Sequence, residues 1–206
     1  MSDARPAPSG TEADGGLKTV LHWYLRKSRD TLRWKMEGLS ERQLRMPLTP
    51  TGTNLLGLLK HLSSVEAEYF TVCMGLPLEI EIPWLADDAP PNADMYAEED
   101  ESLESVLQFA DRCAEAADAA IESLDLNAPA HVPWWGRPEV TLGRLLTHMV
   151  DEYARHLGHA DIVRELLDGQ AGLSSAHSNL PGEGDGADAA WWSDHVHRLR
   201  EIAERF

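Results

Sequence analysis

The stretch Thr147 to Glu165, reading THMVDEYARHLGHADIVRE, constrains this chain more than any other. Wound at about 100° per residue, it sets Leu145, Met149, Tyr153, Ala160 and Val163 on one side of a helix, with His156 among them. Glu152, His159, His148 and Arg155 fan out along one flank, at roughly 40°, 60°, 80° and 100° from His156. A polar stripe running into an apolar edge needs a partner, because an unpaired buried carboxylate or imidazole is costly. A metal ion is one such partner, and an ordinary wide polar face is the other reading. Glu152 and His156, four residues apart, stack on one face about 6 Å apart along the axis and can share an ion. His156 and His159 can also share one. His148 and His156 stand about 12 Å apart axially, too far for a single ion with bonds of about 2.1 Å.

The rest of the chain supplies the frame. Apolar residues recur at helical spacing over about Leu17–Gly38, Asn54–Met74, Leu103–Leu124 and Thr141–Leu167, which predicts four long amphipathic helices. Four such helices without strand repeats predict an all-α four-helix bundle. Residues 1–15 are expected to be a disordered leader, 16–172 the bundle, 173–190 a flexible linker, and 191–206 an extra C-terminal amphipathic helix. The acidic, proline-rich segment 76–101 contains LEIEI, which alternates like a short strand, and 126–140 is expected to be loop. Trp134 and Trp135 in that loop either wall a ligand cleft or cover a bundle end.

On the second helix, His61 projects to the rim of the apolar face, whereas Glu66 projects into it. Either the polar face there is wide, or Glu66 is a buried carboxylate that pairs with an arginine or steadies a ligand histidine. Bundles place metal sites between facing helices, so His61 is the natural third ligand beside Glu152 and His156. Two histidines and a carboxylate form a common catalytic zinc set that leaves a position open. The ligand types alone fit nickel, iron or manganese as well.

A net charge of −17 argues against nucleic acid and against anionic membranes as partners. No secretory signal pattern is apparent, and the two cysteines, Cys73 and Cys113, suggest no disulfide framework. A cytoplasmic setting is the simplest expectation.

The segments GLLKHLSSVEAEYF and HMVDEYARHLGHADIVRELLDG resemble the DinB-like superfamily, in its actinobacterial branch, over roughly residues 17–172. That resemblance implies a divalent metal on the bundle axis and a homodimer. Many such proteins carry histidine four residues before the last ligand, whereas this chain has Glu152. In this it is similar to the mycothiol-dependent maleylpyruvate isomerase branch, whose metal rests on two histidines and a glutamate. Carried over by motif, His61, Glu152 and His156 are the metal ligands. His148 and His159 match motif positions outside the ligand set and stand as cleft or supporting groups. Arg155 either steers an anionic group or pairs with Glu66.

The activity implied is activation of a low-molecular-weight thiol such as mycothiol, for transfer to, or isomerisation of, a small electrophile. A thiol-independent metal-water hydrolase or lyase is one alternative. A non-catalytic, metal-stabilised binding protein is the other.

Overall fold

Each main helix of the bundle starts or stops on a residue whose chemistry explains it. The protein is described by a computed structural model covering residues 16–174, 177–182 and 186–206. The first helix, α1, spans Gly16–Met36, and a short α2 spans Glu41–Arg45 with a Ser40/Gln43 capping box. Helix α3 spans Leu55–Phe70 from an Asn54 cap, and α4 spans Leu103–Ser123 from a Ser102 cap. Helix α5 spans Leu142–Asp168, with the Thr141 side chain accepting from the Arg144 amide. Gly169, at φ 77°, ends it in the left-handed conformation, and its amide donates to the Glu165 carbonyl. The expected leader, residues 1–15, lies outside the described residues.

Two differences from the sequence reading, at the end of α3 and in the loop 126–140, stand beside one segment that behaves as expected. Helix α3 was expected to reach Met74, but it stops at Phe70 and the chain continues as a 3-10 turn, Val72–Met74. The Thr71 hydroxyl donates back to the Ala67 carbonyl, and Val72 turns out to solvent. The LEIEI segment alternates like a strand but, as expected of a single such piece, makes no sheet. Its two-residue alternation instead lets Leu78, Ile80 and Ile82 pack on the small cluster of Ala67, Phe109 and Cys113. The expected loop 126–140 contains a hairpin of two three-residue strands, β1 (Pro129–His131) and β2 (Glu139–Thr141), paired antiparallel.

Helices α1, α3, α4 and α5 enclose a core that includes Leu25, Leu32, Leu58, Leu62, Ile121, Leu145 and Met149, all fully buried. The fold is all-α and DinB-like. Side-chain bonds give the helix directions. The Arg164 guanidinium on α5 donates to the Lys35 and Glu37 carbonyls at the end of α1, so α1 and α5 run parallel. His61 faces Glu152 while Tyr69 faces His148, so α3 and α5 run antiparallel.

A polar network runs through this core. Glu66, 1% exposed, receives the Arg29 guanidinium from α1 and the Tyr153 hydroxyl from α5, the latter at 2.8 Å. Of the two sequence readings of Glu66, the structure bears out the buried carboxylate paired with an arginine. That arginine is Arg29 and not Arg155, which is exposed. The reason is rotational: Tyr153 and Arg155, two residues apart, point to nearly opposite sides of α5. Arg29 also donates to Asp118 on α4 at 2.8 Å, and Asp118 meets Arg26 at 2.9 Å and His22 at 2.7 Å.

The chain divides into two units, one ending at Gln170 and one running from Ala171 to Phe206. The second contains helix α6, Ala189–Ala203, capped by Asp188 and carrying a Trp191–His195 stack with centroids 4.9 Å apart. Among the described residues, no helix is long and apolar enough to cross a membrane.

Burial alone would raise the Asp118 pKa, but His22 and Arg29 outweigh it and hold the carboxyl down at about 2. A folded-state pKa below the unfolded value stabilises the fold above about pH 4, and this contribution is lost as the pH falls toward about 2. Denaturant titrations of wild type and Asp118→Asn should therefore differ by on the order of 2 kcal/mol at pH 7, converging as the pH is lowered through this window. A gap independent of pH would contradict this account of the network.

Candidate metal centre

Where α3 and α5 cross, His61, Glu152 and His156 each turn one donor atom toward a common point, all within 4.8 Å of one another. His61 Nε2 stands 3.5 Å from Glu152 Oε1, and His156 Nε2 stands 3.2 Å from the same oxygen. The two imidazole rings meet edge to face with centroids 4.9 Å apart. All three residues are half-buried, a setting in which a ligand can be held from the protein side and still reached from outside.

The far side of His61 is held by a residue that sequence reasoning missed. Its Nδ1–H donates to Asp94 Oδ2 at 2.6 Å. This hydrogen bond settles the tautomer and leaves Nε2 facing Glu152. Asp94 sits in a 3-10 turn, Ala93–Met95, within the acidic excursion, where nothing about its local sequence separates it from its acidic neighbours. The turn is seated by the Asn54 side chain, which donates to the Met95 carbonyl at 3.1 Å and accepts from the Gly57 amide at 2.7 Å. Buried Lys60 adds a bond to the Tyr96 carbonyl, an ion pair with Glu101 at 2.7 Å, and a cation–π contact with Trp84 at 3.9 Å.

The electrostatics suit a cation. Burial opposes charge on His61, but Asp94 and Glu152 outweigh it and raise its pKa. Burial would raise Glu152, yet the neighbouring His156 and His61 pull it down, so its carboxylate is ionised. Burial and the His61 charge both lower His156, so it is held neutral. Glu152 and His156 are thus in the states in which these groups ligate a metal, whereas at His61 an ion must take the place of a proton that Asp94 and Glu152 favour.

The remaining sequence candidates lie around this point. His159 is exposed, with its Nδ1 3.3 Å from His156 Nδ1, so it flanks the site. His148 lies away from the three converging atoms, packed edge-on against Trp135 at 4.8 Å and Tyr69 at 5.3 Å. Glu66 belongs to the Arg29 network, and Arg155 faces solvent. Cys73 and Cys113 are buried, and burial pushes their thiols up to about 11 and about 12, so neither is a thiolate at neutral pH.

Gly57 is the hinge point of this construction, because a Cβ there would collide with the Met95 carbonyl. Gly57→Ala should therefore unseat the Ala93–Met95 turn and release Asp94 from His61. Amide hydrogen exchange should then quicken across residues 93–96, while the α5 core around Met149 stays protected. Unchanged exchange in the turn would contradict this role.

A family model described as mycothiol S-transferase matches residues 20–169. No curated protein matches the chain. The crystal structure of a conserved protein from Enterococcus faecalis resembles it with a TM-score of 0.54 at 14% identity, covering 75% of this chain and 98% of that one. At that identity the likeness speaks for the fold alone. Together with the helical bundle and the residues gathered between α3 and α5, the match over most of the chain leads to one assignment: the chain belongs to the mycothiol S-transferase family, a DinB-like family.

Proposed function

We propose that this protein is a divalent-metal enzyme, zinc-loaded, which activates the thiol of mycothiol for transfer to, or isomerisation of, a small electrophile. The observation that carries the reading is the convergence of His61, Glu152 and His156 within 4.8 Å across two facing helices. Two imidazoles and a carboxylate are a ligand set common in catalytic zinc sites. A dication held by His61, Glu152 and His156 would retain one net positive charge and would supply the chemistry by lowering a thiol's pKa toward the thiolate at neutral pH.

The chain's own residues do the rest. Asp94 orients His61 through its Nδ1–H, and Tyr153, tied to Glu66, fixes the rotation of α5 from which Glu152 and His156 project. In transfer, the thiol proton goes to solvent. A sulfur lone pair then makes the new bond to the electrophilic carbon, and the leaving group departs with its electron pair. In isomerisation, the sulfur adds and is later expelled. The high pKa of both buried cysteines supports an external thiol as the nucleophile. A homodimer and a cytoplasmic setting belong to the same proposal.

Alanine in place of His61, Glu152 or His156 should each abolish stoichiometric metal, measured by elemental analysis, whereas His148→Ala should retain it. Asp94→Asn should weaken metal affinity by about 10- to 100-fold without abolishing binding. Turnover with an electrophile panel should require mycothiol and stop on chelation. Equal metal loss in His148→Ala would overturn the ligand set, and thiol-independent turnover would overturn the thiol reading in favour of a hydrolase or lyase.

A further inference from the structure

One cluster beside the metal centre is used by nothing described so far. Tyr69 on α3, His148 on α5, and Trp134 and Trp135 in the hairpin turn come together as one aromatic group. Both indole N–H groups donate to the Tyr69 hydroxyl, at 3.4 Å from Trp134 and 3.2 Å from Trp135. The tryptophans are thereby locked by their polar edges, yet Trp134 remains 53% exposed. Leaving a large, rigid aromatic surface in water is unfavourable unless something covers it, and its rigidity lowers the entropic cost of binding there. The Arg144 guanidinium lies 5.5 Å from the Trp135 ring centroid and brings hydrogen-bond donors to the rim of this surface.

The position is set by helix geometry. From Glu152 to His148 is one turn of α5, about 6 Å, and from His61 to Tyr69 is about 12 Å along α3. Because these helices run antiparallel, both steps lead in the same direction. The aromatic wall thus begins roughly 6 to 12 Å from the converging ligand atoms. Mycothiol carries its sulfur on a cysteinyl group, joined through an amide to an amino sugar that is linked in turn to inositol. Five bonds separate the sulfur from the sugar ring, a reach of about 6 Å when extended. A sugar ring has an apolar C–H face and a rim of hydroxyls, which calls for an aromatic face with donors at its edge. A purely apolar electrophile would have no use for the rim.

We propose that Trp134, Trp135 and Tyr69, with Arg144 at the rim, form the subsite for the sugar portion of mycothiol while its thiol lies at His61, Glu152 and His156. The proposal rests on the thiol reading above. It assigns the hairpin Pro129–Thr141 a role in choosing which thiol is used: a small thiol reaches the metal centre but gains nothing from the wall.

The test is calorimetric and needs no electrophile. Zinc-loaded wild type, a Trp134→Ala/Trp135→Ala double variant and a Trp134→Phe/Trp135→Phe double variant are each titrated with mycothiol and with N-acetylcysteine. We expect the alanine pair to lose about tenfold or more in mycothiol affinity, on the scale of about 1.4 kcal/mol per tenfold. Its N-acetylcysteine affinity and zinc stoichiometry should match wild type, and the phenylalanine pair should keep most of the mycothiol affinity. Unchanged mycothiol affinity in the alanine pair, or an equal loss for both thiols, overturns the subsite while leaving the thiol reading intact. Wild type that binds neither thiol overturns the thiol reading itself.

Discussion

The buried carboxylate of Glu66 is the point on which this bundle turns. An arginine from α1 and a tyrosine hydroxyl from α5 both close on it, and the same arginine reaches on to Asp118 of α4. All four main helices are therefore keyed to one another by directional bonds, where apolar packing alone would tolerate rotation or slippage. Removing one member of such a pair leaves an uncompensated buried charge, which costs on the order of 3–5 kcal/mol. The network also sets the chemistry at a distance. Tyr153 adjoins Glu152, and His61 lies five residues before Glu66, so the bond that holds α5 against α3 also brings the three donor atoms to their crossing.

The excursion 76–101 is the second constraint. It has little regular structure, and it is fastened by Lys60, Asn54 and Arg45 at its far end and by its own isoleucines at the near end. Through Asp94 it reaches His61 directly. An irregular segment outside the four main helices can thus tune an imidazole on the bundle axis. Loops that support ligand-bearing residues in this way are one means by which a helical frame can serve different chemistry.

Much of this was legible in the sequence because helices declare themselves by period. The four long helices lie where the apolar spacing puts them, and Thr141 caps α5 as its hydroxyl suggests. The axial distance along α5 separated His148 from His156, and in the structure His148 packs against Trp135 while the converging atoms come from His61, Glu152 and His156. What stayed hidden depends on contacts between residues far apart in the chain. Glu66 shows as a misplaced charge, but no local pattern says that its partner is Arg29. Asp94 is one acidic residue among many, made special only by a turn that packs where Gly57 leaves room. The hairpin strands are three residues each, too short for alternation to register, and the pairing of both tryptophans with Tyr69 spans more than sixty residues.

The central claim is that His61, Glu152 and His156 hold a metal ion, and the most direct measurement is the metal content of the purified protein expressed without a histidine tag. The account predicts about one equivalent of zinc per chain after dialysis, removed by a strong chelator and restored on adding zinc back. A protein that takes up no divalent metal even on reconstitution, with the helices intact by circular dichroism, would contradict it. The three residues would then be an ordinary imidazole–carboxylate cluster at a helix crossing.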